Sequence, residues 1–362
     1  MASDPLITDL ERLVADLPAR ERGKFNQIYQ VSTSTAEIRL QPELEPWIKA
    51  QFGSIEAITR QKIVRLANKV SHEECFINEQ RASRPSELKN PANLEDELAR
   101  AAPNDIFRVP ESSTAEDIIG RIKGKYCITA GNVTKTDSFH GVVIFDDFNP
   151  LEFTREKIAD YIETASEWAK QINALRPEAN YFLFFWNCLW RAGASLTHGH
   201  AQIMLGRDRH YAKVENLRQS ALEYHQRYGS NYFEDLFSVH QALGCGFEKD
   251  GIRILSYLTP LKFSQVMLFG EAVTPAFKNQ IFDLLALFRD SLKVTNFNFG
   301  LVRPPLIPTG ENWQDFPCIA QIIDRGSYDS RFSDFGSFEL FGATMVVSDQ
   351  FRLARLIRAM TA

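Results

Sequence analysis

Apolar positions recur at two different spacings along this chain, and the change from one to the other divides it. Over residues 1–70 the spacing is mainly helical. Ile55, Ile58, Ile63, Leu66 and Ala67 predict a helix over 55–70. Residues 83–103, rich in Pro, Asn and Glu, predict a surface loop or a short helix between long connections. From about Gly124, strands interleave with helices. Residues 126–129 and 141–145 predict a hairpin pair. Residues 154–174 predict a helix with Ile158, Ile162, Ala165, Trp168 and Ile172 on one face and Thr154 as its cap. The apolar run 181–186 predicts a buried strand, 187–197 a loop, and 198–205 a second strand. Residues 211–228 and 232–243 then predict two helices forming an insertion.

The same order recurs. Strands are predicted at 252–258 and 265–269, followed by a helix over 274–292 carrying Phe277, Ile281, Leu284, Leu285 and Phe288 at helical spacing. A strand at 296–302, a Pro-rich loop at 303–312 and a strand at 317–323 complete it. The intervals from Thr154 to Gln202 and from Thr274 to Gln321 are nearly equal, and both strands read Ala-Gln-Ile. The positions matching His198 and His200 are Pro317 and Ile319. These patterns predict an α+β fold made by tandem duplication, with two antiparallel sheets and helices packed on them. The expected boundaries are a mainly helical N-terminal region and linker at 1–105, a first repeat at 106–245 and a second at 246–362.

Composition narrows the partners. With 362 residues, 44% hydrophobic and 24% charged, the chain suits a globular protein of two domains or one doubled one. A net charge of −5 with scattered Lys and Arg gives no footprint for nucleic acid. No apolar run approaches the ~20 residues of a membrane helix, and the first residues lack a signal peptide pattern. The five cysteines are dispersed, which points to reduced thiols in a cytoplasm and rules out a zinc ribbon on spacing.

The chemistry concentrates at His198-Gly199-His200-Ala201-Gln202, introduced by Gly193-Ala194-Ser195. A strand sends alternate residues to one face, so two imidazoles and an amide line one wall. An imidazole with an ordinary pKa of ~6.5 is largely neutral at pH 7 and can attack phosphorus without a dedicated base. A neighbouring histidine and the Gln202 amide can donate to phosphate oxygens. Ser195 and the backbone around Gly193 can cradle a phosphate, and Asn187 ends the preceding strand within reach of it. A metal site would need ligands beyond His198 and His200. His140 is the nearest in sequence, and no Cys or His cluster accompanies it.

Asn187 followed by Gly193-x-Ser195-x-x-His198-x-His200-x-Gln202 resembles the active-site stretch of the histidine-triad superfamily. The similar branch is that of galactose-1-phosphate uridylyltransferase, ADP-glucose phosphorylase and diadenosine tetraphosphate phosphorylase. The likeness runs from about residue 125 to the C-terminus and includes doubled half-barrels, Phe297-Asn298-Phe299 followed by prolines, and a closing strand at Phe338-Glu339. It implies His200 as the nucleophile that takes a nucleoside monophosphate from a nucleotide sugar or dinucleoside polyphosphate and passes it to phosphate or a sugar phosphate. His198 is then its supporting histidine, and Gln202, Ser195, Asn187 and Gly193 are phosphate contacts. Gln202 resembles the transferases and phosphorylases, whereas histidine there resembles the hydrolases. The likeness also implies a homodimer. Thr197 and Gly199 stand where the uridylyltransferases have prolines. Cys75 is alone and Phe148-Asn149 replaces a zinc-binding histidine, so no structural zinc and no required cofactor are expected. The loss of these features motivates a degenerate nucleotide binder as one alternative, and a hydrolase is another.

Weaker candidates remain. Arg81 and Arg84, in the stretch from Asn78 to Pro85, and Asn132 are candidate nucleotide contacts. Asp146-Asp147 reads either as turn residues or as a holder of Mg²⁺ on substrate phosphates. Arg325 and Arg331 could grip a second phosphate or pair with Asp324 and Asp334. Phe182, Phe184 and Phe185 are candidates to line a base pocket.

Overall fold

In the computed structural model, which describes residues 4–78, 80–81, 93–326, 328 and 335–361, the N-terminal region combines helices with strands. Helices α1 (Leu10–Ala15) and α2 (Ala19–Ile28) lead into β1 (Tyr29–Glu37). Helices α3 (Glu45–Phe52) and α4 (Ile55–Thr59) lead into β2 (Arg60–Asn68), and β3 (Glu74–Ile77) follows. The helix expected over 55–70 therefore stops at Thr59. Ser54 caps its start, but from Arg60 the chain pairs along its whole length with β1 and buries Val64 and Leu66. Tertiary pairing overrides the local helical spacing there. Of the stretch expected as a loop or short helix, residues 83–92 lie outside the described residues, and the rest forms α5 (Leu94–Ala101), capped by Asn93; α6 (Pro110–Ser113) follows it.

The two repeats follow in matching order. The first contains β4 (Cys127–Gly131), β5 (His140–Phe145), α7 (Arg155–Leu175), β6 (Ala179–Cys188) and β7 (His200–Arg207). Thr154 caps α7, its hydroxyl accepting from the Lys157 N–H. The insertion forms α8 (Ala212–Tyr228) and α9 (Tyr232–Ala242), after which β8 (Gly246–Lys249) leads into the second repeat. That repeat contains β9 (Ile252–Ser256), β10 (Gln265–Gly270), α10 (Pro275–Ala286), β11 (Phe297–Val302) and β12 (Cys318–Asp324). Thr274 caps α10, and a π-helical turn over Leu287–Ser291 finishes the segment read as helix. The chain ends with β13 (Ala343–Val346) and α11 (Gln350–Thr361). Phe338-Glu339 is no strand: a 3₁₀ turn spans Glu339–Phe341, and β13 pairs parallel with β3.

Strand order in the main sheet is β4-β5-β7-β6-β11-β12-β10-β9-β8. Exchanging β4, β5, β6 and β7 for β9, β10, β11 and β12 reproduces this order in reverse, so the repeats are related by an approximate twofold between β6 and β11. Those two strands pair antiparallel, and the two expected sheets are in fact one of nine strands. A separate sheet has the order β1-β2-β3-β13.

The two faces of the main sheet are used differently. One face buries Val143, Phe182, Phe184, Trp186, Ala201 and Ile203, with their second-repeat counterparts, in the core that includes the inward residues of α7 and α10. On the opposite face, the second repeat's Leu255, Met267 and Ile319 are sealed in a cluster with Tyr29, Val64, Leu66 and Ile77 of the N-terminal region. The first repeat's part of that face carries only a small apolar group, Phe107, Ile128, Ala130, Val142 and Ile144. The catalytic candidates lie beside it.

Candidate active site

Strand β7 places the motif. Residues opposite one another in an antiparallel pair share a face, and His200 lies opposite Ile144 while Gln202 lies opposite Val142 and Phe185. His200, which is buried, and Gln202, which is half-buried, therefore lie on the face that the N-terminal sheet covers only in the second repeat. Gly199 turns the other way. A Cβ there would meet Phe145 Cδ2 at 2.7 Å and Asp147 O at 2.8 Å, so the approach to β7 requires glycine. Phe185 shares the face of Gln202 and is half-buried, whereas Phe182 and Phe184 are in the helix-side core. Strand alternation removes those two from any pocket on the His200 face.

The protonation of His200 follows from its contacts. Its Nδ1 lies 2.7 Å from the His198 carbonyl oxygen, which can only accept, so Nδ1 carries the proton. The lone pair is then on Nε2, which has no hydrogen-bond partner among the described residues and is not among the sealed, unpartnered atoms. Burial lowers the pKa of this ring against the opposing effect of the His198 carbonyl. Phe107 packs edge-on at 5.4 Å, an apolar wall that favours the neutral form.

His198 is held at both nitrogens. Nδ1 is 2.8 Å from Asp105 Oδ2 and Nε2 is 2.7 Å from the Phe145 carbonyl oxygen, and both side chains of the Asp105 pair are nearly enclosed. A carboxylate and a carbonyl both accept, so each ring nitrogen of His198 faces an acceptor. Its ring is thus committed to the scaffold, and what it offers His200 is its backbone carbonyl. A cleft of about 560 Å³ opens beside it, lined by Asp105, Phe107, Arg108, Lys123, Lys125 and Phe148 among others. Neither His200 nor Gln202 lines this cleft, so its size does not make it the reaction centre.

Two amides accompany His200. Gln202 Oε1 is 2.7 Å from His140 Nε2 and 3.1 Å from Asn132 Nδ2. On β6, Asn187 Oδ1 accepts from Asn298 Nδ2 of β11 at 2.7 Å. Gly193, at φ 99°, lies beyond it, where a Cβ would be 3.6 Å from Asn187 Nδ2. The intervening turn holds buried Leu189 at φ 65°, a conformation unfavourable for a branched side chain, at the rim of the site. Ser195 is exposed on the following loop.

Other expectations are redistributed. Asn132 bonds Gln202, and Arg325 donates to Asn298 Oδ1. Asp147 pairs with Lys157 at 2.6 Å. Arg81 is exposed, its N–H bonding the Asn78 carbonyl, and no hydrogen bond joins it to the histidines. Arg84, Arg331 and Asp334 lie outside the described residues. The reading of the sequence missed Asp105, Phe107 and the part played by Asn298. Asp105 and Phe107 precede His198 by more than ninety residues and carry no motif.

The doubled sheet, with His200, Gln202 and Asn187 on one face, has the same fold as several solved structures. The structure is similar to an ADP-glucose phosphorylase from Arabidopsis thaliana with bound ADP-glucose, at a TM-score of 0.60 and 16% identity, covering 80% of this chain and 96% of that one. A GalT-like protein from Arabidopsis thaliana matches at 0.60 and 15%, covering 81% and 97%. A uridylyltransferase matches at 0.55 and 15%, covering 66% and 87%. No family model matches the sequence, and no curated protein matches it. Among the described residues, no helix is long and apolar enough to cross a membrane.

Proposed function

We propose that the protein is a nucleotidyltransferase or phosphorylase that carries a nucleoside monophosphate on His200. The donor is a nucleotide sugar or dinucleoside polyphosphate, and the acceptor is phosphate or a sugar phosphate. The observation that carries this reading is the setting of the His200 ring: Nδ1 against the His198 carbonyl, Nε2 without a partner among the described residues, and burial lowering its pKa.

In the first step the Nε2 lone pair forms a bond to the α-phosphorus while the α-phosphorus–oxygen bond to the leaving phosphate breaks. That oxygen keeps the electron pair and leaves as sugar phosphate or nucleotide. The ring becomes cationic, and the Nδ1–H bond to the His198 carbonyl stabilises it. In the second step an acceptor phosphate oxygen attacks the phosphorus and returns the electron pair to Nε2. Division into two displacements replaces one difficult step with two easier ones. Gln202 and Asn187 stabilise the charge on the non-bridging oxygens. The site works without structural zinc in this proposal, because Asp105 and the Phe145 carbonyl hold the ring of His198.

Intact mass spectrometry after incubation with UDP-glucose, ADP-glucose or diadenosine tetraphosphate tests the reading. A nucleoside monophosphate adduct with one of them, absent in His200→Ala and discharged by phosphate or a sugar phosphate, is expected. No adduct with any donor refutes the transferase and leaves a nucleotide binder. Discharge to free monophosphate without added acceptor indicates a hydrolase.

A further inference from the structure

Both amides beside His200 have their orientation fixed from backbone groups that admit only one assignment. For Gln202 the chain of bonds begins at Thr136, whose N–H donates to His140 Nδ1 at 3.0 Å. That nitrogen must therefore bear the lone pair, and the single ring proton is on Nε2. Burial lowers the pKa of His140 as well, consistent with one proton. Nε2–H then donates to Gln202 at 2.7 Å, so the Gln202 atom there is the oxygen. For Asn187 the chain begins at the Ala192 carbonyl, which accepts from Asn298 at 2.8 Å and so identifies that Asn298 atom as the nitrogen. The same nitrogen gives its other hydrogen to Asn187, which must meet it with its oxygen. Arg325 donates to the Asn298 oxygen and closes the chain.

Each amide oxygen is thus turned away and occupied. The Gln202 and Asn187 NH₂ groups are left with no partner among the described residues, and neither nitrogen is sealed. Both side chains are half-buried.

We infer that His140 and Asn298 are positioning residues that lock Gln202 and Asn187 as pure hydrogen-bond donors, so that this face accepts the non-bridging oxygens of a phosphoanhydride and disfavours groups that must donate. The histidine-free second repeat therefore contributes to the first repeat's site, through Asn298 on β11 and Arg325 after β12. An amide free to rotate would present its oxygen half the time and repel the phosphoryl group. The lock removes that state before the ligand arrives, which is preorganisation in the electrostatic sense. The inference rests on the reading of this face as the phosphate site.

Neutron diffraction from crystals of the deuterium-exchanged full-length protein measures the orientations without any substrate. The expected result is one deuteron on His140 at Nε2, none at Nδ1, and the deuterated amide nitrogens of Gln202 and Asn187 on the His200 side. Either amide oxygen on that side overturns the inference, as does a deuteron on His140 Nδ1. Calorimetry with AMP and UMP, using adenosine and uridine as controls, measures the consequence. His140→Leu and Asn298→Leu should weaken nucleotide binding by about 10–100-fold, the loss of charge-assisted hydrogen bonds, while leaving nucleoside binding unchanged. His140→Gln, which keeps a donor, should recover much of the loss. Equal loss for nucleosides and nucleotides would indicate general damage and overturn the positioning role. A wild-type protein that binds neither nucleotide refutes the nucleotide reading above, while the deuteron positions still decide this one.

Discussion

At the level of single residues, the decisive quantity is the proton inventory of His200. Its depressed pKa gives a sign to the pH dependence. In the proposed reaction the attacking form is neutral, so kcat/KM should hold as pH falls through the ordinary imidazole range near ~6.5 and decline only below it. A rate profile with an acid limb at or above that range would show that another group limits the reaction. His198 supplies a second test. Asp105→Ala removes one of the two acceptors that hold the enclosed His198 ring, and leaving a buried polar group unpaired typically costs about 1–3 kcal/mol. Chemical denaturation should show a loss of this order, and turnover should fall with it because the carbonyl of His198 aligns His200. Gly199→Ala acts through shape alone, since its methyl group would collide with Phe145 and the Asp147 carbonyl. On the proposed mechanism it should depress the rate of His200 nucleotidylation more than it depresses nucleotide binding.

Among elements, the helices were the easiest to read and the N-terminal strands the hardest. Helix α7 has a capping threonine and an apolar face at regular spacing, and it forms where its sequence predicts. Thr154→Ala should lower stability by about 1 kcal/mol, measured by urea denaturation. Strand β2 shows the opposite case. Ile55, Ile58 and Ile63 keep helical spacing across a helix–strand boundary, and only pairing with β1 reveals the boundary. The segment around Asp105 and Phe107 has no regular element of its own at those two residues, so no periodicity marks it. It matters because it packs on the histidines from a distant part of the chain.

For the whole molecule, duplication explains the division of labour. The approximate twofold gives both halves the same position on this face, and Gln321 occupies in β12 the place that Gln202 has in β7. In the second half the N-terminal region covers that face with apolar residues, which accounts for Ile319 where a histidine would stand. Part of this cover depends on a neutral histidine. His240, fully buried on α9, donates from Nδ1 to the Leu236 carbonyl and receives the Leu258 N–H at Nε2, and burial pushes its pKa down to about 4. His210 is pushed to about 4 by burial as well. The unfolded chain takes up these protons near pH ~6.5 and the folded one does not, so the stability they confer is present above that pH and lost as pH falls towards 4. Thermal midpoints should decline across that interval, and the C2–H resonances of both rings should stay untitrated above pH 5.

What the sequence determined by itself was local: the capped helices, the duplicated order of elements, and a strand whose alternate residues place His200 and Gln202 on one face. Spacing along the chain suffices for these because they depend on neighbours within a few residues. Tertiary structure alone decided that the two half-sheets join at β6 and β11, that Asp105 holds His198, and that His140 and Asn298 turn the two amides towards the site. Those outcomes depend on which backbone donors and acceptors meet across long separations, and hydrogen-bond direction is a property of the meeting and not of either residue.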